Sequence, residues 1–435
     1  MFKLHLGQKN GLKNAADKKP IVAVEIGNDW LKVIENVPSS GGWIINKMAF
    51  NKLAEIKGPV TETLSAIVQD LKLGAQPVIT YIPRHLVTIR ILRFPSTNPK
   101  EIEDMVSLQV GKQTPYSKQE IVSVYKVIDT EDDGYSRIML VIVRHSLINE
   151  RLDVLRNSGL EIDNVGISSE GVFNWFIQAY LKPNSKDKGN ILSAGTGQVG
   201  IRPIILLDID SNYSDFMVIH KQRMMFTRSI LIGANHLLED RDKWQDKFIG
   251  ELRRSAELYK TEENGSAAEK MFLSGASGRI EGLDTVFSVK LGLPVLNTGT
   301  SGNVKIKNKA SLEDEKFRPI SVSPLIGLSL ARRQPDIDLT PNELRIQRST
   351  EEKRRHLTRM GILFIALIMS GSLSVLINIY NKSGYLARLK QNIARTEKKS
   401  DAVEKMRMRI ELVKKRLDAK GTSLDIFYRI HKLTP

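Results

Sequence analysis

The sequence lacks cysteine entirely and contains only 7 histidines among its 435 residues. Without cysteine the chain can form no disulfide, thiolate nucleophile, cysteine-ligated zinc site or iron–sulfur cluster. The histidines are scattered and never take H-E-x-x-H or H-x-x-E-H spacing, so a catalytic metal site based on histidine is not expected. Zinc-finger and RNP-type aromatic patterns are also missing, and we therefore expect no nucleic-acid partner in spite of a net charge of +16.

Charge is absent from one long stretch, residues 360–380. A helix needs about 20 apolar residues to cross the hydrocarbon layer of a membrane, and this stretch has that length. We therefore predict one transmembrane helix. The alternatives are a buried core helix, which rarely stays uncharged for so long, and an uncleaved signal anchor, which would not lie about 360 residues into a chain. Lys353, Arg354 and Arg355 precede the stretch, and the N-terminus does not have the pattern of a secretion signal. These features predict a cytoplasmic body before the helix and an extracytoplasmic tail after it.

Before residue 360, patterns typical of strands alternate with patterns typical of helices, which indicates an α/β fold. Short β-branched runs predict strands, and apolar residues three and four apart predict helices. The first set of strands covers residues 21–27, 30–35, 77–82, 87–92 and 137–143, with helices at 61–73, 101–110 and 148–158. The pattern restarts with strands at 204–210, 216–219, 225–230 and 271–274 and a helix at 247–259. An acidic turn thus joins two strands twice, about 180 residues apart.

Four short motifs follow this duplicated pattern in a fixed order. They are E-I-G-N-D-W-L-K at residues 25–32, D-I-D-S-N-Y-S at 208–214, F-T-R-S-I at 226–230 and L-S-G-A-S-G at 273–278. Their order resembles the two phosphate loops and the adenosine-side loop of the actin, Hsp70 and sugar-kinase (ASKHA) superfamily. Within that superfamily the chain resembles the PilM family of type IV pilus assembly proteins. The resemblance implies an actin-like fold made of two ribonuclease-H-like domains.

The same resemblance implies a division of the chain into seven parts. They are a disordered basic leader (1–20), a first actin-like domain (21–198) with a small inserted subdomain (about 85–145), a second actin-like domain (199–330), a linker (331–359), the transmembrane helix (360–380), a coiled coil (381–420) and the start of an incomplete ferredoxin-like domain (421–435).

The resemblance also implies a site for ATP and Mg²⁺. Its residues would be Glu25, Gly27, Asn28, Lys32, Asp208, Asp210, Ser214, Gly275 and Ser277, with Glu25 and Asp208 as the candidate Mg²⁺ residues. Glycine lets backbone amides approach phosphate, lysine supplies charge, and acidic side chains hold hydrated Mg²⁺.

Two residues depart from the family pattern. Glu25 stands where aspartate is usual, and Asp210 stands where glycine is usual. Like charges 4 Å apart repel by roughly 4 kcal/mol at an effective dielectric constant of about 20, which corresponds to some three decades in affinity. Asp210 therefore weighs against ordinary nucleotide binding, unless it points to solvent from its turn.

Before the uncharged stretch, residues 337–344 read I-D-L-T-P-N-E-L. This segment, called the docking segment below, resembles the I-N-L-L-P-x-x-L peptide by which PilN, a single-pass membrane protein, docks on PilM. The resemblance makes Ile337, Leu339 and Pro341 the expected docking residues. Docking would occur in cis, because a short linker raises the effective concentration to the millimolar range. The alternative is an amphipathic linker. The secretion protein family GspL has the same layout of a cytoplasmic body and a single span.

After the span, apolar residues again recur at steps of three and four. Leu386, Leu389 and Ile393 form one series, and Val403, Met406, Ile410, Val413 and Leu417 form another. This spacing predicts a coiled coil that joins chains into homo- or hetero-oligomers; the alternative is a single solvated helix.

The combined resemblance implies a platform protein of the bacterial inner membrane. It would serve type IV pilus assembly or a related type II secretion machine, with other platform proteins as partners. Two alternatives are a membrane-anchored ATPase or kinase of the same superfamily and a filament-forming or cell-division relative of actin. Kinases of this fold need a catalytic aspartate, and because none is evident we assign no catalytic residue.

Overall fold

The computed structural model describes residues 20–39, 42–74, 76–178, 202–262, 265–298, 304–307, 312, 314–331 and 336–432. Almost all of the predicted leader, positions 332–335 of the linker and the last three residues lie outside the described residues. The chain forms two compact units, Met1–Leu344 and Arg345–Pro435. We refer to the first unit without the docking segment as the body.

The body begins with a sheet whose strands, from edge to edge, are β14 (Lys305–Ile306), β3, β2, β1, β4 and β8. The strands β1 (Ile21–Ile26), β2 (Trp30–Ser39) and β3 (Gly42–Lys52) run antiparallel, and β4 (Val78–Ile82) and β8 (Ile162–Ile167) are parallel to β1. The helices α1 (Val60–Asp70), α3 (His145–Asn157) and α4 (Ser168–Phe176) connect or follow these strands. Strands β1 and β4 are almost entirely buried and contribute to the main apolar core of the body.

A smaller sheet lies within the range where the sequence predicts an inserted subdomain. Its strands, in the order β5-β7-β6, are β5 (Thr88–Phe94), β7 (Ser136–Arg144) and β6 (Ile121–Thr130). The helix α2 (Pro99–Val110) supplies Ile102, Val106 and Val110 to a separate apolar cluster that includes Phe94 and Ile138.

The second large sheet repeats the order of the first. Its strands read β11-β10-β9-β12-β13, and its first three strands again form an antiparallel meander. They are β9 (Ile204–Ile209), β10 (Ser214–His220) and β11 (Arg223–Ile230), followed by β12 (Met271–Gly275) and β13 (Val295–Asn297). The helices are α5 (Ala234–Glu239), α6 (Arg241–Glu262) and α7 (Leu283–Leu291). Both halves therefore have the ribonuclease-H-like order 3-2-1-4-5, and the fold is actin-like.

The chain returns to the first sheet earlier than the predicted domain end at residue 330. The short strand β14 (Lys305–Ile306) pairs with β3, and helix α8 (Ser323–Leu330) packs on α4 and β1. The two helices touch through glycine: a Cβ on Gly327 would lie 1.7 Å from the carbonyl oxygen of Gly171. No side chain fits at either glycine, and this close helix pair was not predicted.

The described part of the second unit is helical. The helix α9 (Asn342–Lys432) spans 91 residues and continues beyond residue 420, where the sequence predicts the coiled coil to end. Its described part from Met360 to Asp418 contains a window long and apolar enough to cross a membrane. Length and composition alone support that assignment, so this part of α9 contains a candidate membrane span.

Candidate functional site

Two equivalent β-hairpin turns form the centre of the candidate nucleotide site. The β1–β2 turn is closed by the Gly27 N–H, which donates to Trp30 O at 2.9 Å. The β9–β10 turn is closed in the same way, by the Asp210 N–H and Tyr213 O at 2.9 Å. A Cβ at residue 27 would lie 3.0 Å from Trp30 O, which explains the glycine in the first turn. Asn28 is exposed in that turn.

Lys32 of β2 reaches from the first turn to the second. Its Nζ donates to both carboxylate oxygens of Asp210 at 2.8 Å and to Ser321 O at 3.1 Å, and it lies 2.9 Å from Glu25 Oε2. The Lys32 and Asp210 side chains are only 1% and 2% exposed. The alternative in which Asp210 points to solvent is therefore wrong. The resemblance implies that Lys32 binds phosphate, but its ammonium group donates hydrogen bonds to protein oxygens instead.

Burial and charge act in opposite directions on this cluster. Burial raises the pKa of Glu25 to about 7, and neighbouring Lys32 only partly offsets that rise. For Lys32, burial lowers the pKa, but Asp210 and Glu25 together raise it above its usual value. Lys32 thus stays protonated at neutral pH, whereas the Glu25 carboxyl takes up a proton more readily than an exposed glutamate does.

The two turns also contact each other directly. The Asn212 side-chain amide donates to Asp29 Oδ2 at 2.9 Å, and Asn235 in turn donates to Asn212 Oδ1 at 3.0 Å. Ser214, expected at the nucleotide, donates its hydroxyl to Ile232 O at 2.7 Å. The Asn212–Asp29 hydrogen bond thus joins turn to turn without an intervening group.

The remaining predicted residues line the second sheet near Asp208. Asp208 Oδ1 accepts hydroxyl hydrogen bonds from Ser274 at 2.7 Å and Ser321 at 3.1 Å, and burial raises the Asp208 pKa to about 6. Gly275 has φ +70°, and a Cβ there would lie 2.4 Å from Ile209 O. Ser277 is buried, 3.4 Å from Asn297 Oδ1.

ATP and Mg²⁺ do not fit this arrangement. An ammonium group has three protons, and protein oxygens already surround that of Lys32. A polyphosphate between the turns would have to separate Asn212 from Asp29 and would face the carboxylates of Asp210 and Glu25. Among the described residues, no group of three or more metal-ligating side chains is placed to hold a metal ion.

The docking segment lies against the body. The Leu339 N–H donates to Val165 O of β8 at 2.7 Å, and the Thr340 hydroxyl accepts from the Val165 N–H at 3.2 Å. Ile337 and Leu339 are 1% and 0% exposed, and Pro341 is also buried. The structure therefore buries all three predicted docking residues.

A residue that the sequence reasoning missed completes this contact. Glu170 of α4 accepts from the Ile337 N–H at 3.0 Å. Its burial raises its pKa to about 8, although nearby Lys126 and two backbone N–H groups, those of Ile337 and Asp336, act to lower it. The signal in the sequence is a lone carboxylate within the apolar run of α4, since buried carboxyls are usually hydrogen-bonded.

Comparisons with known proteins agree with the predicted resemblance. The family model described as "Type IV pilus assembly protein PilM" matches residues 31–241. A solved chain of a PilM–PilN type IV pilus biogenesis complex has 18% identity and a TM-score of 0.57; the match covers 73% of this chain and 100% of that one. The resemblance to PilM and the actin-like fold are thereby confirmed.

Two further solved structures are more distant. The cytoplasmic domain of EpsL, an inner membrane component of the type II secretion system of Vibrio cholerae, has 10% identity and a TM-score of 0.39, with 74% of this chain and 98% of that one covered. A Bacteroides thetaiotaomicron protein with an actin-like ATPase fold has 10% identity and a TM-score of 0.38, with 66% and 94% covered.

Proposed function

We propose that this chain is an inner-membrane platform protein of a type IV pilus or a related type II secretion machine. Its actin-like body lies in the cytoplasm, its candidate span crosses the inner membrane once, and its tail binds partner platform proteins outside. In this proposal the chain unites a PilM-like body with a PilN-like docking segment and membrane helix.

The observation that supports the proposal best is the burial of the docking segment on the body. Leu339 is fully buried, and its N–H donates a hydrogen bond to Val165 O of β8. The chain itself therefore covers an apolar face of the body. Helix α9 begins at Asn342, directly after Pro341. A movement at this contact can therefore be passed along one continuous helix towards the tail.

Complementation of a deletion strain tests the function. We expect the unaltered chain to restore piliation or secretion. Leu339→Asp should not, because a carboxylate would have to enter a site that excludes water. Asn342→Asp, an exposed change three residues away, is the matched control and should complement fully. Full complementation by Leu339→Asp would contradict a role for the docked segment.

An ATP-turnover assay on the full-length chain distinguishes this proposal from an enzyme of the same superfamily. We expect no turnover above that of an Asp208→Ala variant. Turnover that disappears on this substitution would favour the ATPase or kinase, and ATP-dependent polymerisation would favour a filament-forming actin relative.

A further inference from the structure

The cluster around Lys32 joins the two halves of the body at the place where actin-like proteins hold nucleotide. Lys32 and Glu25 belong to the first sheet, Asp210 follows β9 of the second, and Ser321 precedes α8. We propose that the Glu25–Lys32–Asp210 cluster closes this cleft in place of a nucleotide, so that the two halves are held together without ATP.

The hydrogen-bonding capacity of Lys32 is the first argument. Four protein oxygens lie within 3.1 Å of its Nζ: both of Asp210, one of Glu25 and the carbonyl of Ser321. Three ammonium protons cannot serve more acceptors than these, so none remains for a phosphate. Asp210 is equally occupied, because its Oδ1 also accepts from the Ser321 N–H at 2.8 Å.

The charge balance of the cleft is the second argument. Where a nucleotide supplies negative charge, a buried lysine is compensated by the ligand; here Asp210 supplies that charge from within the chain. Glu25 and Asp208 are also buried carboxyls near the same turns, with pKa values raised by burial. Added phosphate would meet carboxylates rather than an unpaired cation.

The second contact between the turns is the third argument. Asn212 donates to Asp29 on the opposite turn, beside the Lys32–Asp210 pair. Two side-chain links, Lys32–Asp210 and Asn212–Asp29, therefore join the β1–β2 hairpin to the β9–β10 turn. Each is formed by a polar residue of the second motif, Asp210 or Asn212, so the sequence itself encodes the closure.

Thermal unfolding with and without MgATP provides the first test. All four tryptophans (Trp30, Trp43, Trp175 and Trp244) lie in the body, so tryptophan fluorescence of the full-length chain in detergent reports the body alone. We expect millimolar MgATP to move the Tm by less than about 1 °C. A rise of several degrees, as a bound ligand produces, would overturn the proposal.

Substitution of Lys32 provides the second test. If Lys32 served only to bind a nucleotide, it would not stabilise the nucleotide-free protein, and Lys32→Met would leave the Tm unchanged or higher. If Lys32 holds the cleft closed, its removal leaves the buried carboxyls of Glu25 and Asp210 without a cation, and we expect the Tm to fall by about 5–10 °C. Lys47→Met is the matched control: Lys47 pairs with buried Glu35 on the same sheet but is 30% exposed, and we expect a fall below about 2 °C.

A double variant keeps the test decisive if Lys32→Met fails to fold. In Lys32→Met/Asp210→Asn, neither side chain is charged and Glu25 takes up a proton, so we expect folding to return and most of the lost Tm to be recovered. A double variant that also fails to fold, or one as destabilised as the sum of the two single variants where Lys32→Met does fold, would show that the two residues are not coupled and would overturn the proposal.

Discussion

Glu170 is the residue that ties the docking segment to the body. It is buried, accepts the Ile337 N–H, and faces Lys126 and Asp336, which form an ion pair with each other. Because the folded-state pKa of Glu170, about 8, lies above its ordinary 4.5, the folded body holds a proton that the unfolded chain releases. Its contribution to stability is therefore full below pH 4.5 and is lost as the pH rises towards 8.

Replacement by glutamine tests this assignment. Glu170→Gln keeps an oxygen for the Ile337 N–H and removes the charge. The difference between the Tm of the variant and that of the unaltered chain should therefore shift in favour of the variant as the pH rises from 5 to 8. Glu170→Ala leaves the buried N–H without an acceptor and should cost about 1–3 kcal/mol at any pH. Unfolding curves from pH 5 to pH 8 provide the measurement; parallel pH profiles for Glu170→Gln and the unaltered chain would refute the assignment.

For single residues, the sequence predicted which residues belong to the site better than it predicted what each of them does there. Lys32 and Asp210 were both identified as site residues, and the extra charge at residue 210 was recognised. Their ion pair was not predictable, because it joins positions 178 residues apart in the chain. Whether Asp210 repels a phosphate or neutralises a lysine depends on that pairing, which only the fold reveals.

At the scale of elements, the pair of helices α4 and α8 sets the strictest packing requirement. Gly327→Ala would drive a methyl group into the backbone of Gly171, and we expect a loss of about 3 kcal/mol or failure to fold. Gly250→Ala is the matched helical control, because nothing lies within 4 Å of a Cβ there; it should raise stability by up to about 1 kcal/mol. Chemical denaturation compares the two, and equal effects would exclude close packing at residue 327.

The apolar stripe that follows the predicted transmembrane helix (360–380) leads to a prediction about assembly. Within the second unit, Val403, Met406, Ile410, Val413 and Leu417 are 56–68% exposed on α9. If the stripe is the seam of a coiled coil, cysteines at seam positions of two chains approach disulfide distance.

Single cysteines in this cysteine-free chain test the seam without interference from other thiols. Met406→Cys should give a disulfide-linked dimer on mild oxidation of membranes, and the neighbouring Arg407→Cys should give little. Equal cross-linking at both positions, or none at either, would favour the single solvated helix.

Elements with clear periodicity were predicted within a few residues, and others were missed for identifiable reasons. Strands β1, β4 and β9 are buried β-branched runs, the clearest strand signal. Strand β3 mixes lysine and asparagine with apolar residues, which hides its alternation. Helix α8 is buried on every side, so it has no polar face to show a period of 3.6 residues.

At the scale of the whole molecule, the duplication of the strand–turn–strand pattern was predictable. Each motif alone is weak evidence, but the motifs follow one another in a fixed order. Each half repeats a hairpin turn and a following parallel strand, and both sheets have the same strand order. The return of β14 and α8 to the first sheet was not predictable, since neither segment carries a motif and the contact is long-range. The same holds for the place where the docking segment binds.

The most direct test of the account measures whether residue 339 is buried in the complete chain. Leu339→Cys places the only thiol of the protein in the docking segment, and Glu343→Cys places it at an exposed position four residues later. In membranes containing the full-length chain, we predict that a maleimide labels residue 339 at least about 100-fold more slowly than residue 343, equivalent to an opening free energy of about 3 kcal/mol. Labelling at equal rates would contradict docking of this segment on its own body.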